Sequence, residues 1–308
     1  MSRAALLVLA AACSNEPPRE MMTTGDAPVA PMIDAPPAAC TPLGPCDWLD
    51  SYQRRIVGAL AGAEEISAGV TLSHRASVGE RNAARQFLLD EFTALGLTAE
   101  RHDYSNAGGY VGANVIARLD ATAGTGGTLI VGAHFDSVPA GPGAADNATG
   151  VAIVLATARY LRQVETRQHP VVFALFDQEE LGLIGSREWV KTLNPMDVTA
   201  AHIFDMLSFD GDGDHVVELW SPSPAVEAAY QAHASAAGTP ISSVTFAYSD
   251  HQAFLEAGFT ATGVGEEFVA MDHTPHYHKS TDVFANVSFD HLARVTRLAM
   301  TVLDAEVR

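Results

Sequence analysis

The run PVVFALFDQEELGLIGS, residues 170–186, decides how the chain is read. It opens on an apolar stretch, with Val171, Val172, Phe173 and Phe176 giving it β-branched and aromatic bulk. Such a run reads as a strand buried on both faces of a parallel sheet. Glu179 and Glu180 stand directly beyond it. In open α/β sheets, ligands bind at the carboxyl edge of the strands. Adjacent carboxylates repel each other, and a strand end has no need of two. The pair reads either as a solvated acidic turn or as a site where one glutamate ligates a metal and the other is a general base.

Working outward, strands and helices alternate. Residues 49–62 and 79–95 read as helices; the second carries Ala83, Phe87, Leu88 and Leu95 at helical spacing and stops at Gly96. Strands are predicted at 98–104, 111–119 and 128–133. The almost wholly apolar stretch 148–163 reads as a helix buried against the sheet. Beyond the opening strand, helices are predicted at 185–193, 224–237, 250–257 and 288–304, with strands near 202–206, 215–219 and 259–264. This alternation predicts a single α/β domain, a three-layer sandwich whose mixed, largely parallel sheet has helices on both faces.

The chain has 308 residues and a formal net charge of −19, from 37 acidic and 18 basic residues. That balance excludes nucleic acid as a partner, because phosphate binding needs clustered Lys and Arg. It also excludes charge-driven docking on anionic lipid. Residues 1–13, MSRAALLVLAAAC, have the layout of an export signal and are too short to span a bilayer. The ending resembles a lipoprotein signal with Cys13 as the lipidated residue; an ordinary secretory signal is the other reading. Residues 14–47 read as a disordered tether rich in Pro and Ala, and the folded domain is expected to span 48–308. Cys40 and Cys46 are expected to form a short local disulfide within the tether.

Several residues at strand ends could ligate a metal. His134 follows TLIVGA, with Asp136 two residues on. Imidazole is a common zinc ligand and usually gives its other N–H to a carboxylate or carbonyl. Asp146 lies in the loop GPGAADNATG, where it reads either as a ligand or as a favourable charge at a helix N-terminus. Asp205 ends a short apolar run, and HTPHYHKSTD offers His273, His276 and His278. Asp210, Asp212 and Asp214 lack the spacing of a calcium loop and read as a solvated acidic turn. His74, His102, His169, His202, His215, His233 and His291 read as surface or structural residues.

Taken in order, AHFDS, DNATG, DQEELGLIGS, FDM, SDHQAF and YHKSTD resemble the co-catalytic di-zinc aminopeptidases over about residues 75–305. That family includes secreted bacterial leucyl aminopeptidases and has glutamate carboxypeptidase and glutaminyl cyclase as relatives. The resemblance implies two zinc ions per chain and a peptide substrate. It implies His134, Asp146 and Asp205 on one ion and Asp146, Glu180 and His278 on the other, with Asp146 bridging. It implies Glu179 as general base, Asp136 behind His134, and Tyr277 beside the tetrahedral intermediate. Asp250 and His251 match a characteristic pair to which the sequence assigns no role. The chain departs from the pattern in Ile-Phe-Asp at 203–205 and in Lys279–Ser280 after His278. The expected function is zinc-dependent hydrolysis of N-terminal residues from peptides by an exported, cell-envelope lipoprotein or secreted enzyme. A glutaminyl cyclase-like acyltransferase, a carboxypeptidase or dipeptidase, and a non-catalytic module on the same fold are the rivals. Residues 244–270, including Phe246, Tyr248, Glu266, Glu267 and Phe268, are the expected source of a specificity pocket.

Overall fold

The computed structural model describes residues 40–308; the expected signal with Cys13, and the tether up to residue 39, lie outside the described residues. The elements run α1 (Leu49–Leu60), α2 (Val78–Ala94), β1 (Thr98–Ser105), β2 (Val111–Leu119), β3 (Thr128–His134), α3 (Thr149–Leu161) and β4 (Val171–Phe176). They continue α4 (Ile184–Val190), β5 (Val198–Asp205), β6 (Val217–Trp220), α5 (Pro224–Ala237), β7 (Ile241–Val244), α6 (His251–Glu256), β8 (Ala261–Gly265) and α7 (Phe289–Val307). All eight strands join one sheet in the order β1-β2-β4-β3-β5-β8-β6-β7. The centre, β4-β3-β5-β8, is parallel. Antiparallel pairs stand outside it, β1 with β2, β2 with β4, and β6 with β8. The α/β sandwich expected from the sequence is thus present, with its parallel character confined to the centre and to β6–β7. β7 was not expected, because ISSV is a short and only half-apolar run that its pairing with β6 makes into a strand.

β4 shows why an unbroken apolar run was needed. Successive side chains point to opposite faces, and both faces are covered. Val171, Phe173 and Leu175 join the larger core, formed with α1, α2, α3, α5 and α7. Val172, Ala174 and Phe176 join the smaller one, with α4 and α6. There Phe176 packs on Trp189 and Phe254, with ring centroids 5.8 and 6.0 Å apart. α3 lies between the sheet and the pair α1 and α7, so almost all of its residues are buried.

The expected disulfide joins Cys40 to Cys46. Its loop is packed, with both cysteines in the core and the Arg297 guanidinium donating to the Pro42 and Gly44 carbonyls at 3.1 and 2.7 Å. This corrects the boundary read at Trp48: the folded domain already includes Cys40, because the loop is tied to α7 by hydrogen bonds and burial.

The end of β4 is fixed from behind by Asp177, which is fully buried. Arg81 and Arg85, on α2, pair with its two oxygens at 2.8 and 2.6 Å. The Tyr104 hydroxyl donates to the Asp177 carbonyl at 3.1 Å. This clamp positions the turn that begins at Gln178. Removing one member of a buried ion-pair group leaves uncompensated charge, at a cost of about 3–5 kcal/mol. Asp177→Ala is expected to lower the unfolding free energy by about that amount, measured by denaturant titration. A loss under about 1 kcal/mol would show that the clamp is dispensable.

Candidate metal centre

β3, β4 and β5 are parallel neighbours, so their carboxyl ends open on one edge of the sheet. His134 is the last residue of β3 and Asp205 the last of β5, while Glu179 and Glu180 follow β4. The fourth contribution is the loop before α3, which turns at Gly143 with φ +67°. A Cβ there would stand 2.4 Å from the Asp146 carbonyl oxygen and 2.6 Å from the Ser137 Cβ, so only glycine fits. The loop is held on both sides. The Arg75 guanidinium, fully buried, donates to the carbonyls of Leu60, Phe135, Pro142 and Gly143. The Asp282 carboxylate accepts from the Ala145 and Asp146 N–H groups at 2.7 and 3.1 Å. Asn147, joined to Asp146 by a cis peptide, donates to the Phe204 carbonyl at 2.9 Å.

Three turns carrying these residues use the left-handed region, at Gln178 (φ 62°), Met206 (φ 54°) and His278 (φ 56°). For residues with a Cβ this costs of order 1–2 kcal/mol each. Such strain persists where surrounding structure over-determines it.

The side chains converge on Asp146. Its Oδ1 lies 3.3 Å from His134 Nε2, and its Oδ2 lies 3.2 Å from His278 Nε2. Asp205 Oδ1 is 3.3 Å from the same nitrogen of His134, and Glu180 Oε2 is 3.0 Å from that of His278. Two donor sets therefore share one carboxylate: His134, Asp146 and Asp205, and Asp146, Glu180 and His278. Glu179 stands off at 4.0 Å from His134 Nε2. Asp136 lies behind, accepting from the Glu179 and Glu180 N–H groups at 3.0 and 3.2 Å and facing His134 Nδ1 at 3.5 Å. The Asp136 backbone carbonyl lies closer to His134 Nδ1, at 3.2 Å, while the carboxylate fixes the turn carrying both glutamates. Tyr277 stacks on the His278 ring with centroids 3.8 Å apart.

Burial pushes the Glu179 carboxyl well up, and Asp250, Asp205 and Glu180 add to this against the opposing His134. Burial and Asp146 push Glu180 up to about 7, although hydrogen bonding to His278 opposes them. Hydrogen bonds to Asp146 and Glu180 raise His278 to about 10, against its partial burial. Burial disfavours charge on His134, but Asp205, Glu179, Asp136 and Asp146 outweigh it and raise this group too. Besides burial, these shifts reflect one arrangement: Asp136, Asp146, Glu179, Glu180 and Asp205 crowd two imidazoles, and Arg75 is committed to backbone carbonyls. Buried like charges of this density call for cations. Carboxylate oxygens and neutral imidazole nitrogens are donors that suit divalent transition metals, zinc among them. The residues present fit such ions.

Of the competing histidines, His276 bonds the Thr281 hydroxyl at 2.9 Å and His273 stacks on Phe268, so neither enters the cluster. Asp250 is fully buried, and burial pushes it up to about 7; His251 faces the Phe246 carbonyl at 2.9 Å. A pocket beside Asp146, Glu179, Asp205 and His278 is lined by Met206, Trp220, Phe246, Tyr248, Phe268 and Tyr277. Phe246, Tyr248 and Phe268 were anticipated. Glu266 and Glu267 do not line it; Glu266 is buried and accepts from the Ser208 and Thr274 N–H groups, each at 2.8 Å. Trp220 and Met206 were missed. Trp220 ends a short strand far from the motifs, and only the sheet order brings β6 beside β8. Arg75 was missed as well, because an isolated arginine carries no local pattern.

Residues 114–303 match Peptidase family M28, and the chain belongs to that family. The probable lipoprotein aminopeptidase LpqL of Mycobacterium tuberculosis is 33% identical over 214 residues, which are 59% of this chain and 42% of that protein. The chain spans about half the length of the curated relatives it matches, or somewhat less. In fold it is similar to a zinc aminopeptidase from Bacillus subtilis, with TM-score 0.74, 15% identity, and coverage of 84% of this chain and 95% of that one. It is also similar in fold to Porphyromonas gingivalis glutaminyl cyclase, with TM-score 0.69, 19% identity, and coverage of 86% and 99%.

Asp136→Ala is expected to weaken divalent-metal affinity by roughly 10–100-fold, the range for loss of a residue that orients ligands. Isothermal titration of the metal-free protein measures this. Unchanged affinity would show that the carboxylate orients nothing of consequence.

Proposed function

We propose that the chain is a zinc-dependent aminopeptidase that removes N-terminal residues from peptides. The observation that carries this is Asp146, with one oxygen toward His134 and the other toward His278. In this reading His134, Asp146 and Asp205 hold one zinc, and Asp146, Glu180 and His278 hold a second. Bound zinc lowers the pKa of water towards neutrality and polarises a carbonyl oxygen. Glu179 stays outside both sets and takes the proton of the attacking water on its carboxylate. Its raised affinity for protons suits a group that must then deliver that proton to the leaving nitrogen. Burial keeps the Tyr277 phenol protonated, so at the pocket wall it remains an O–H donor to a developing oxyanion. Asp136 holds the two glutamates apart in role by fixing their backbone.

The aromatic lining beside the carboxylates favours apolar side chains at the cleaved terminus and opposes acidic ones, which would meet Glu179 and Asp205. Membership of family M28 and the zinc aminopeptidase fold of a structural neighbour support the reaction class.

Metal analysis with a panel of aminoacyl-anilides tests the reading. Asp146→Ala is expected to carry two fewer zinc ions per chain than the unaltered protein. Glu179→Gln is expected to keep all of its zinc while kcat falls about 100-fold or more, the scale of a lost general base. Leucyl and phenylalanyl substrates are expected to exceed aspartyl ones in kcat/KM. A deficit of one ion in Asp146→Ala, with pyroglutamate formed from glutaminyl peptides and no trimming, would instead favour the cyclase. Near-normal turnover by Glu179→Gln would remove it as the base.

We also infer export with a lipid anchor at Cys13. The Cys40–Cys46 disulfide supports an oxidising compartment, and one relative is described as a probable lipoprotein. Among the described residues no helix is long and apolar enough to cross a membrane. In a bacterial host, Cys13→Ser is expected to abolish palmitate labelling and move the protein to the soluble fraction. Labelling that persists in Cys13→Ser would place any lipid elsewhere.

A further inference from the structure

Outside the cluster at the sheet edge, the fold gathers a second set of metal-type donors. The loop after β5 carries Asp210 and His215, and the first turn of α7 carries His291. Some 80 residues of chain separate Asp210 from His291 (291 − 210 = 81), yet one ligand atom from each lies within 4.8 Å of the others. The His215 ring bonds Asp210 Oδ2, and His291 Nδ1 faces the same oxygen at 3.8 Å. His291 is 4% exposed, and neither ring nitrogen has a hydrogen-bond partner among the described residues. An imidazole buried without a partner and aimed at a carboxylate already shared by another imidazole is a ligand in waiting.

The support around Asp210 is that of a fixed ligand. Its Oδ1 accepts from the Gly213 and His215 N–H groups at 3.0 and 3.3 Å, which holds the carboxylate in place. Asp272 accepts from the Gly211 and Asp212 N–H groups at 2.8 and 3.2 Å, tying the loop to the segment that leads to Tyr277 and His278. Asp212, Asp214 and Glu267 form a further acidic group beside it, which raises the local concentration of cations.

We propose that Asp210, His215 and His291 form a structural site for a divalent transition metal of the zinc class, separate from the cluster around Asp146. Two imidazoles and one carboxylate match that class better than calcium, which prefers an all-oxygen shell. Water completes the coordination. The ion fastens the 210–215 loop to α7 and, through Asp272, steadies the segment bearing Tyr277 and His278.

The test uses full-length protein stripped of metal and titrated with Zn2+ alone. It is carried out in the Asp146→Ala background, which on the reading above empties the cluster at the sheet edge. Asp146→Ala protein is expected to bind one Zn2+ through these three residues, with a rise in Tm on addition of zinc. Asp146→Ala/His291→Leu is expected to lose that ion and the Tm response, its affinity falling by more than the roughly 10–100-fold that loss of a supporting residue costs. His215→Gln in the same background, on a half-exposed loop position that leaves the core untouched, is expected to do the same and covers the case in which His291→Leu does not fold. Failure of Asp146→Ala protein to bind zinc, or binding that survives His291→Leu or His215→Gln in a folded protein, would overturn the proposal.

Discussion

Like charges repel strongly where water is excluded, and this fold places Asp136, Asp146, Glu179, Glu180 and Asp205 around one point at the edge of its sheet. That concentration is the constraint on which the rest depends. Everything that bounds the site holds carboxylates where they would not gather by themselves. Arg75 ties the loop that carries Asp146, through the Pro142 and Gly143 carbonyls, to those of Leu60 and Phe135. Asp282 pins the same loop through two N–H groups. Arg81 and Arg85 pin the turn that carries the glutamates through Asp177. The strain at Gln178, Met206 and His278 belongs to the same account. A rigid scaffold tolerates backbone strain and stored repulsion if bound cations offset the charge.

The same arrangement sets apart two neighbours of identical chemistry. Glu179 and Glu180 differ by one position, and both backbone N–H groups are held by Asp136. Because the turn is fixed, Glu180 reaches His278 while Glu179 stops 4.0 Å short of His134. A metal ligand must surrender its lone pairs, whereas a base must keep one free. In the proposed reading, the spacing of the two side chains, set by backbone hydrogen bonds, lets one turn supply both.

Much of the fold could be read from the sequence, because its signals are local. The strand at 171–176 declares itself by an unbroken apolar run, and α3 by an almost wholly apolar helical stretch. The bounds of β2 and α5 were read as they stand and most others to within a few residues, while β7 was missed because its pairing, not its composition, makes it a strand. The candidate ligands were legible because each sits at a strand end or in a short motif. Arg75, Asp177 and Trp220 were not read as parts of the site. Their contributions come from contacts with segments distant in the chain, and no spacing rule encodes those.

By itself the sequence determined the residue types that can hold a metal, their order along the chain, and the α/β layering that brings strand ends to one edge. Periodicity and strand-end position are properties of short segments, so they survive reading in one dimension. The tertiary structure alone decided that Asp146 turns one oxygen to each imidazole, and that aromatic side chains from β6 and the 246–277 region wall the pocket. It also decided that His215 and His291, unremarkable in the sequence, meet at Asp210. Each of these is a distance between parts of the chain that only the packing of the sheet and its helices brings together.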